Sequence, residues 1–274
     1  MILVKIININ YNIYITGLFN YLWISVKSKW YWSIRRTQLR LAIEAAEELR
    51  DRSNIVTFKE DYAVIAMHQG DFWEAKKIFN DLLKDAREKR DKKGIADNLH
   101  WLGRAAEYID EYEEAEKLYK ESLKIKRKLG NKRSIINTLH ELGVVAYRMR
   151  DYEKAKRLYE EALELGRETN YERTMACTLH ALALLIQEED YEEKDYMKAE
   201  RFYKESLEIK RNLNELEEIA RTLYQLAALY KKQKRYKEAL PLCLESVQIF
   251  EQLGDYYLGQ AQNLLGEIKQ AGDL

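Results

Sequence analysis

An alanine recurs along the chain at nearly constant intervals, and other residues recur in step with it. The alanines are separated by 40, 40, 44 and 40 residues and are Ala75, Ala115, Ala155, Ala199 and Ala239. An aromatic residue stands three positions before each, at Phe72, Tyr112, Tyr152, Tyr196 and Tyr236. Four positions after each alanine stand Phe79, Tyr119, Tyr159, Tyr203 and Cys243. A shared period of this length predicts a repeat protein, in which similar segments stack on their neighbours.

Each repeat carries two stretches with apolar residues at helical spacing. In the third repeat, Leu139, Leu142 and Ala146 follow this spacing in the first stretch, which we call helix A. Ala155 and Tyr159 follow it in the second, helix B. Small residues stand in helix A where one helix must approach another closely, at Gly103, Gly143, Ala183 and Ala227. The break after helix B is also periodic and holds Gly or Asn, which tolerate a left-handed conformation, at Gly130, Asn170, Asn214 and Gly254.

The pattern of a Leu-Gly pair, then Ala, then an aromatic residue four positions later resembles the tetratricopeptide repeat. The resemblance covers residues 55–271 and implies an all-α fold, a right-handed α-solenoid of stacked antiparallel helix pairs. The tetratricopeptide repeat has about 34 residues, often with a proline after helix B. The repeat here has 40 residues and lacks that proline. In this it resembles the longer variety found in kinesin light chains and in bacterial and archaeal regulatory proteins.

The period also predicts how the chain is organised. Residues 55–252 are expected to form five helix pairs, at about 55–92, 95–131, 133–171, 173–214 and 216–254. Residues 17–54 would be a degenerate opening repeat with its helix B at 36–51, and residues 257–271 a polar capping helix. The fourth repeat contains four extra residues within "EEDYEEKDY", 188–196, which predicts a longer loop between its helices.

The N-terminal residues do not follow the repeat. Residues 1–16 are expected to be an irregular segment. Residues 6–26 contain no charge and are followed by Lys27, Lys29, Arg35 and Arg36, which leaves open a membrane anchor with a basic flank. Four asparagines in that stretch oppose the anchor, and the alternatives to it are a packed N-terminal cap or a start site assigned upstream of the native one. We therefore expect a cytoplasmic protein, with an anchored form that keeps the repeats in the cytoplasm as the alternative.

Composition excludes several function classes. Lys and Arg together number 46, as do Asp and Glu, so the net charge is zero and the chain lacks the basic surplus that nucleic-acid binding needs. Two isolated cysteines provide neither a disulfide framework nor a zinc cage. "HELGV", 140–144, lacks the second histidine of a zinc-protease motif, and phosphate loops and nucleophile elbows are missing from the sequence. We predict a protein that is not an enzyme and binds no cofactor or metal.

The resemblance implies that helices A line a concave groove, which suggests a role for three histidines spaced 40 residues apart. Adjacent helices A would lie about 8–10 Å apart, too far for two imidazoles to share a metal at bonds of about 2 Å. The predicted groove residues are His100, Arg104, Tyr108, Asn137, His140, Tyr147, Arg148, His180, Gln187, Arg221, Tyr224 and Lys232. Tyr, Arg and His suit a peptide held by stacking and charge-assisted hydrogen bonds.

The function predicted from the sequence is a scaffold or adaptor that binds a peptide or helix segment of another protein in this groove. The alternative is a regulatory or membrane-tethered assembly subunit that docks through its apolar N-terminal end. Because imidazole titrates near pH 6.5, groove binding through the histidines would vary between about pH 6 and 7.5.

Overall fold

The computed structural model describes residues 29–188 and 195–273, and within these ranges the chain forms twelve α-helices and no strand. The all-α prediction is confirmed. The helices are α1 Lys29–Glu48, α2 Arg52–His68, α3 Phe72–Glu88, α4 Lys92–Tyr108, α5 Tyr112–Leu129, α6 Lys132–Arg148, α7 Tyr152–Thr169, α8 Glu172–Gln187, α9 Tyr196–Asn212, α10 Leu216–Lys232, α11 Tyr236–Leu253 and α12 Leu258–Gly272. The expected first helix at 17–26, the anchor at 6–26 and most of the insertion at 188–196 lie outside the described residues.

The helices belong to two compact units. The N-terminal unit contains α1–α5 and ends at residue 129, and the C-terminal unit begins at residue 130 and contains α6–α12. Within each unit, consecutive helices pack against each other as pairs. Helix A of the repeats corresponds to α2, α4, α6, α8 and α10, with α12 in the same position at the end, and helix B corresponds to the odd-numbered helices.

The first helix begins earlier than its sequence pattern predicts. The apolar spacing placed a helix B at 36–51, but α1 starts at Lys29. No glycine or proline interrupts residues 29–36, so the backbone has no local reason to leave the helix there. The indole of Trp32 also stacks on the imidazole of His68 in α2, with ring centroids 5.1 Å apart, and this contact anchors the additional turn.

The helices begin at capping side chains and end at residues with a left-handed backbone. Side chains of Asp51, Asp91, Asn131, Asp151 and Asp195 accept hydrogen bonds from backbone N–H groups in the first turn of the helices that follow them. The four predicted breaks have positive φ, between 50° and 70°, at Gly130, Asn170, Asn214 and Gly254. Other breaks have the same backbone conformation without Gly or Asn, at Arg50, Arg90, Asp110, Arg150 and Lys234. The left-handed residue is therefore a property of the repeat geometry rather than of residue type.

The core is built from the periodic residues themselves. All five periodic alanines are completely buried, and so are Phe79, Tyr119, Tyr203 and Cys243. The tyrosine ring of helix B lies directly against the small residue of helix A: a Cβ on Gly103 would come within 2.8 Å of the Tyr119 ring, and one on Gly143 within 2.4 Å of the Tyr159 ring. The predicted close approach at these glycines is confirmed.

Candidate protein-binding surface

Predicted groove residues make hydrogen bonds that join α6 to α8 and α8 to α10. Thr174 Oγ1 donates to Asn137 Oδ1 at 2.6 Å. His140 Nδ1 lies 3.1 Å from Thr178 Oγ1, and His180 Nδ1 lies 3.2 Å from Thr222 Oγ1. These side chains therefore connect neighbouring helices A.

The threonines determine which histidine nitrogen carries the proton. Thr178 Oγ1 donates its proton to the Thr174 carbonyl oxygen at 2.7 Å, and Thr222 Oγ1 donates to the Glu218 carbonyl oxygen at 2.8 Å. Each hydroxyl must then accept from the histidine, so we assign the Nδ1–H tautomer to His140 and His180. Each imidazole also lies against the tyrosine of helix B in the same repeat, with ring centroids 5.6 Å apart for His140 and Tyr159 and 5.3 Å for His180 and Tyr203.

Burial keeps two of the histidines neutral at physiological pH. Desolvation, followed by the charges of Lys210 and Arg221, lowers the pKa of His180 well below 6.5. Desolvation, then Lys126 and Arg104, lowers the pKa of His100 in the same way. The expected variation of binding between pH 6 and 7.5 was therefore wrong for these two imidazoles, because neither titrates in that range while the protein is folded.

The same depressed pKa makes stability depend on pH. In the unfolded chain these histidines take up a proton near pH 6.5, whereas in the folded protein they do not. Stability is therefore fully present above pH 6.5 and falls as the pH drops toward the folded pKa, with a slope of up to about 1.4 kcal/mol per pH unit for each histidine.

We expect His180→Asn to reduce that slope in thermal melts between pH 7.5 and 5.5. The control, Gln262→Asn at an exposed position of α12, removes no titrating group and should leave the slope unchanged. The pKa assignment fails if wild type and His180→Asn lose stability in parallel as the pH falls.

A second group of predicted residues lies at the C-terminal ends of α6, α8 and α10. The Tyr147 hydroxyl donates to the Glu188 carboxylate, and burial followed by this hydrogen bond raises the pKa of Tyr147. Gln187 Nε2 donates to the Tyr203 hydroxyl and to the Ala183 carbonyl oxygen. Lys232 Nζ donates to the Gln187 carbonyl oxygen at 3.3 Å, and Arg148 is exposed in the last turn of α6.

An open groove lies between α10 and α12 and contains two predicted residues, Tyr224 and Lys232. Its volume is about 690 Å³, and it is lined by Tyr224, Ala228, Lys231, Lys232, Gln260, Asn263, Leu264 and Glu267. Leu264 is buried, whereas Gln260 and Asn263 are exposed. We refer to this cavity as the α10–α12 groove.

Sequence reasoning missed the contribution of α12 to this surface. Residues 257–271 were predicted to be a solvating cap because of their glutamines and asparagines, but Gln260 and Asn263 face Tyr224 across the groove. The four extra residues in the fourth repeat do not disturb the repeat positions beyond it. The terminal helix continues the row of helices A, but the forty-residue step places Gln260 and Asn263 at the positions of the buried Ala220 and Leu223, so the repeat pattern did not assign them to the groove.

Arg221 lies at the other end of α10 and is held by its own neighbours. Its guanidinium donates to Glu217 at 2.5 Å and to Glu218 at 3.2 Å, and lies 5.2 Å from the Tyr257 ring centroid. Beneath it the completely buried Lys210 donates to Glu218 at 3.1 Å and to Thr222 at 3.0 Å. These charges neutralise one another within the C-terminal unit.

The N-terminal unit carries the remaining predicted residues in an aromatic row. The Arg104 guanidinium lies 5.2 Å from the Trp101 ring centroid and 5.9 Å from that of Tyr108. Tyr108 is 54% exposed and stacks on Phe72, with centroids 5.0 Å apart. The His100 imidazole lies 5.3 Å from the Tyr119 ring.

Within residues 29–188 and 195–273, no three His, Cys, Asp or Glu side chains lie where they could hold a metal ion together. No helix in the described part of the chain combines the length and apolar character needed to cross a bilayer.

Solved structures with a similar fold come from several kinds of protein. BtubC (BKLC) from P. vanneervenii is 20% identical with a TM-score of 0.62, over 88% of this chain and 92% of that one. A signal transduction ATPase with numerous domains and a tetratricopeptide repeat sensor, from Pyrococcus horikoshii, is 16% identical with a TM-score of 0.71, and the match covers 88% of this chain but 37% of that one. A Rap protein complexed with Competence and Sporulation Factor is 15% identical with a TM-score of 0.67, over 92% and 77%.

These identities establish similarity of fold alone. No curated protein sequence matches the chain. The family model for the tetratricopeptide repeat matches residues 54–128, 134–212 and 218–274, which together make up more than half of the sequence. These matches follow the repeat read from the sequence and the helix pairs of the structure, and the chain belongs to the tetratricopeptide-repeat family.

Proposed function

We propose that the chain is a non-enzymatic interaction module that binds a segment of another protein along its helices A. The observation that carries the proposal is the α10–α12 groove. Its floor contains the buried Leu264, its wall the Tyr224 ring, and its rim the exposed carboxamides of Gln260 and Asn263. Carboxamides both donate and accept hydrogen bonds, so they match the unpaired N–H and C=O groups of a bound peptide backbone.

Other predicted residues divide into two roles under this proposal. His140, His180 and Asn137 hold neighbouring helices A in place through hydrogen bonds within the chain. Tyr224 and Lys232 line the open groove. The first group would fix the spacing of the binding surface, and the second would contact the partner. A Rap protein of similar fold is complexed with Competence and Sporulation Factor, which supports binding by this architecture.

We expect Gln260→Ala combined with Asn263→Ala to weaken partner binding by about tenfold, since each amide hydrogen bond contributes about 0.5–1.5 kcal/mol. The matched control is Gln262→Ala combined with Gln248→Ala, which removes two exposed carboxamides that do not line the groove. Because all four side chains are exposed, the melting temperature should be unchanged in both variants.

The partner is identified with a photo-reactive phenylalanine derivative at position 263 and, in a separate protein, at position 262. These neighbouring positions on α12 differ in whether they line the groove. We expect covalent adducts with a defined protein segment at 263 and far fewer at 262. Equal adducts at both positions, or unaltered binding by the groove variant, would contradict the proposal.

A further inference from the structure

A second open cavity lies between two helices B, α7 and α9. Its volume is about 770 Å³, and the buried members of its lining are Leu163, Leu182 and Phe202, which are 6%, 2% and 8% exposed. A smaller cavity of about 160 Å³ shares Leu182 and Phe202 with it and adds Leu185 and Ile186. We call the two cavities together the α7–α9 groove. Its floor is apolar, and all of its lining belongs to the C-terminal unit.

The wall of this groove on α7 is acidic. Glu160, Glu164 and Glu168 all line the larger cavity and are exposed, and their spacing of four residues places them on one face of the helix. Lys156, one turn earlier, lines the smaller cavity. Glu168 pairs with Lys132 Nζ at 3.0 Å, whereas Glu160 and Glu164 make no ion pair with any residue that the structure describes. Two adjacent negative charges of this wall are therefore not neutralised.

The wall of the groove on α9 is basic. Lys198 lines the smaller cavity and Arg201 lines the larger one, about one helical turn further along. Neither makes an ion pair within the described part of the chain, and each lies 5.7 Å from the Phe202 ring centroid. Asp195, which also lines the smaller cavity, is the N-cap of α9 and accepts a hydrogen bond from the backbone N–H of Lys198. The groove therefore has an apolar floor between an acidic wall and a basic wall.

We propose that the α7–α9 groove docks an amphipathic helix of a partner protein, with lysine or arginine along one side of its apolar stripe and glutamate or aspartate along the other. The basic side faces Glu160 and Glu164, and the acidic side faces Lys198 and Arg201. Opposite charges aligned in this way select a partner by its charge pattern. This docking surface lies on helices B and goes beyond the proposed function, which places binding on helices A.

The walls indicate why the occupant is a helix. Residues in the interior of α7 and α9 have their backbone N–H and C=O groups bonded within the helix, so they offer none to an extended segment. A helix satisfies its own backbone and presents a flank on each side of its apolar stripe, whereas a strand directs its side chains to two opposite faces. The Arg167–Glu205 ion pair already joins the two walls at 3.1 Å. The partner therefore lies along the rim and inserts only apolar side chains toward the floor.

The test measures labelled helical peptides of about 18 residues by fluorescence anisotropy at low salt. The first peptide has a leucine stripe with lysine on one side and glutamate on the other. The second has the same composition, with lysine and glutamate mixed on both sides, and the third is the first peptide with serine in place of leucine. We expect the first peptide to bind about tenfold more tightly than either of the others.

Glu160→Gln combined with Glu164→Gln should weaken binding of the first peptide by about fivefold, and Arg201→Gln, a second variant, by about threefold. The control is Glu208→Gln combined with Glu251→Gln, at exposed positions of α9 and α11 that do not line the groove. It removes the same charge and should leave the affinity unchanged. All five side chains are exposed, so the melting temperature should not change in any of these variants.

Equal binding of the first and second peptides, or equal weakening by both double variants, would overturn the proposal. Dimers in sedimentation equilibrium that Glu160→Gln with Glu164→Gln abolishes would assign the groove to a second copy of the chain instead. Weakening of the first peptide by Gln260→Ala with Asn263→Ala would place that peptide in the α10–α12 groove. The adducts at position 263 test the proposed function without the α7–α9 groove, so a failure of one and a failure of the other are separate results.

Discussion

Replacing Gly143 with alanine is expected to lower the free energy of unfolding by about 2 kcal/mol, although alanine is the better helix former. An added Cβ would lie 2.4 Å from Cε1 and 2.6 Å from Cδ1 of Tyr159, distances that require one of the groups to move. Tyr159 is 2% exposed, and its ring also lies against His140, so it has little space in which to retreat. Urea unfolding followed by circular dichroism measures the change.

The matched control is Gly266→Ala on α12, where nothing lies within 4 Å of the added methyl group. With no contact to disturb, alanine should raise the free energy of unfolding by about 0.5–1 kcal/mol through its helix preference. The two substitutions are chemically identical and differ only in the packing around the new methyl group. We therefore expect changes of opposite sign in the free energy of unfolding. If both substitutions stabilised the protein, the contact between the Tyr159 ring and Gly143 would not limit how closely α6 and α7 can pack.

The repeat explains why so much of the fold could be predicted from the sequence. The apolar pattern of a single helix pair is too short to identify its buried residues. The positions of Ala155 and Tyr159 recur in five repeats, however, and a position that is apolar or small in all five is expected to be buried. The start of α1 could not be predicted in this way, because the opening repeat departs from the pattern and the Trp32–His68 contact joins residues 36 positions apart. Local spacing carries no information about such a contact.

The ion pairs between helices could not be predicted from local sequence patterns either. The sequence suggests pairs four residues apart within helices B, and some exist, such as Lys120 with Glu116 in α5. The structure adds pairs that join successive helices B, at Arg87–Glu121, Arg167–Glu205 and Arg211–Glu245. Each arginine stands twelve residues after a periodic alanine and each glutamate six after the next one, so the repeat positions, once aligned, contain this signal.

The candidate site was harder to predict than the fold, because the direction of a side chain on helix A depends on the helix beside it. His140 and Tyr224 occupy the same repeat position, yet His140 bonds to Thr178 while Tyr224 lines the open groove. The difference comes from the residue opposite, which lies 38 positions away for His140.

A second large loss of stability is expected when Glu200, a buried carboxylate on α9, is replaced. It accepts hydrogen bonds from the Tyr230 hydroxyl at 2.9 Å, from Arg235 Nη1 at 2.6 Å and from Lys204 Nζ at 2.6 Å. Glu200→Ala would leave the buried Tyr230 hydroxyl and two cations without their shared acceptor. Since both cations are partly exposed to water, which limits the loss, we expect the free energy of unfolding to fall by about 2–3 kcal/mol at neutral pH.

The control and the pH dependence of this loss follow from the same contacts. Glu238 binds the other side of the Arg235 guanidinium at 2.6 Å but is exposed, so Glu238→Ala should leave the melting temperature nearly unchanged.

Burial alone would raise the pKa of Glu200, but the hydrogen bonds from Arg235, Lys204 and Tyr230 outweigh it and lower the pKa to about 2. A carboxyl with a depressed folded pKa stabilises the protein above its unfolded pKa near 4.5, and this contribution is lost as the pH falls toward 2. Wild type and Glu200→Ala should therefore differ fully at pH 7 and converge on acidification. A constant difference down to pH 2.5, or an equal loss in Glu238→Ala, would show that the ionised carboxylate is not what holds α9 to α10.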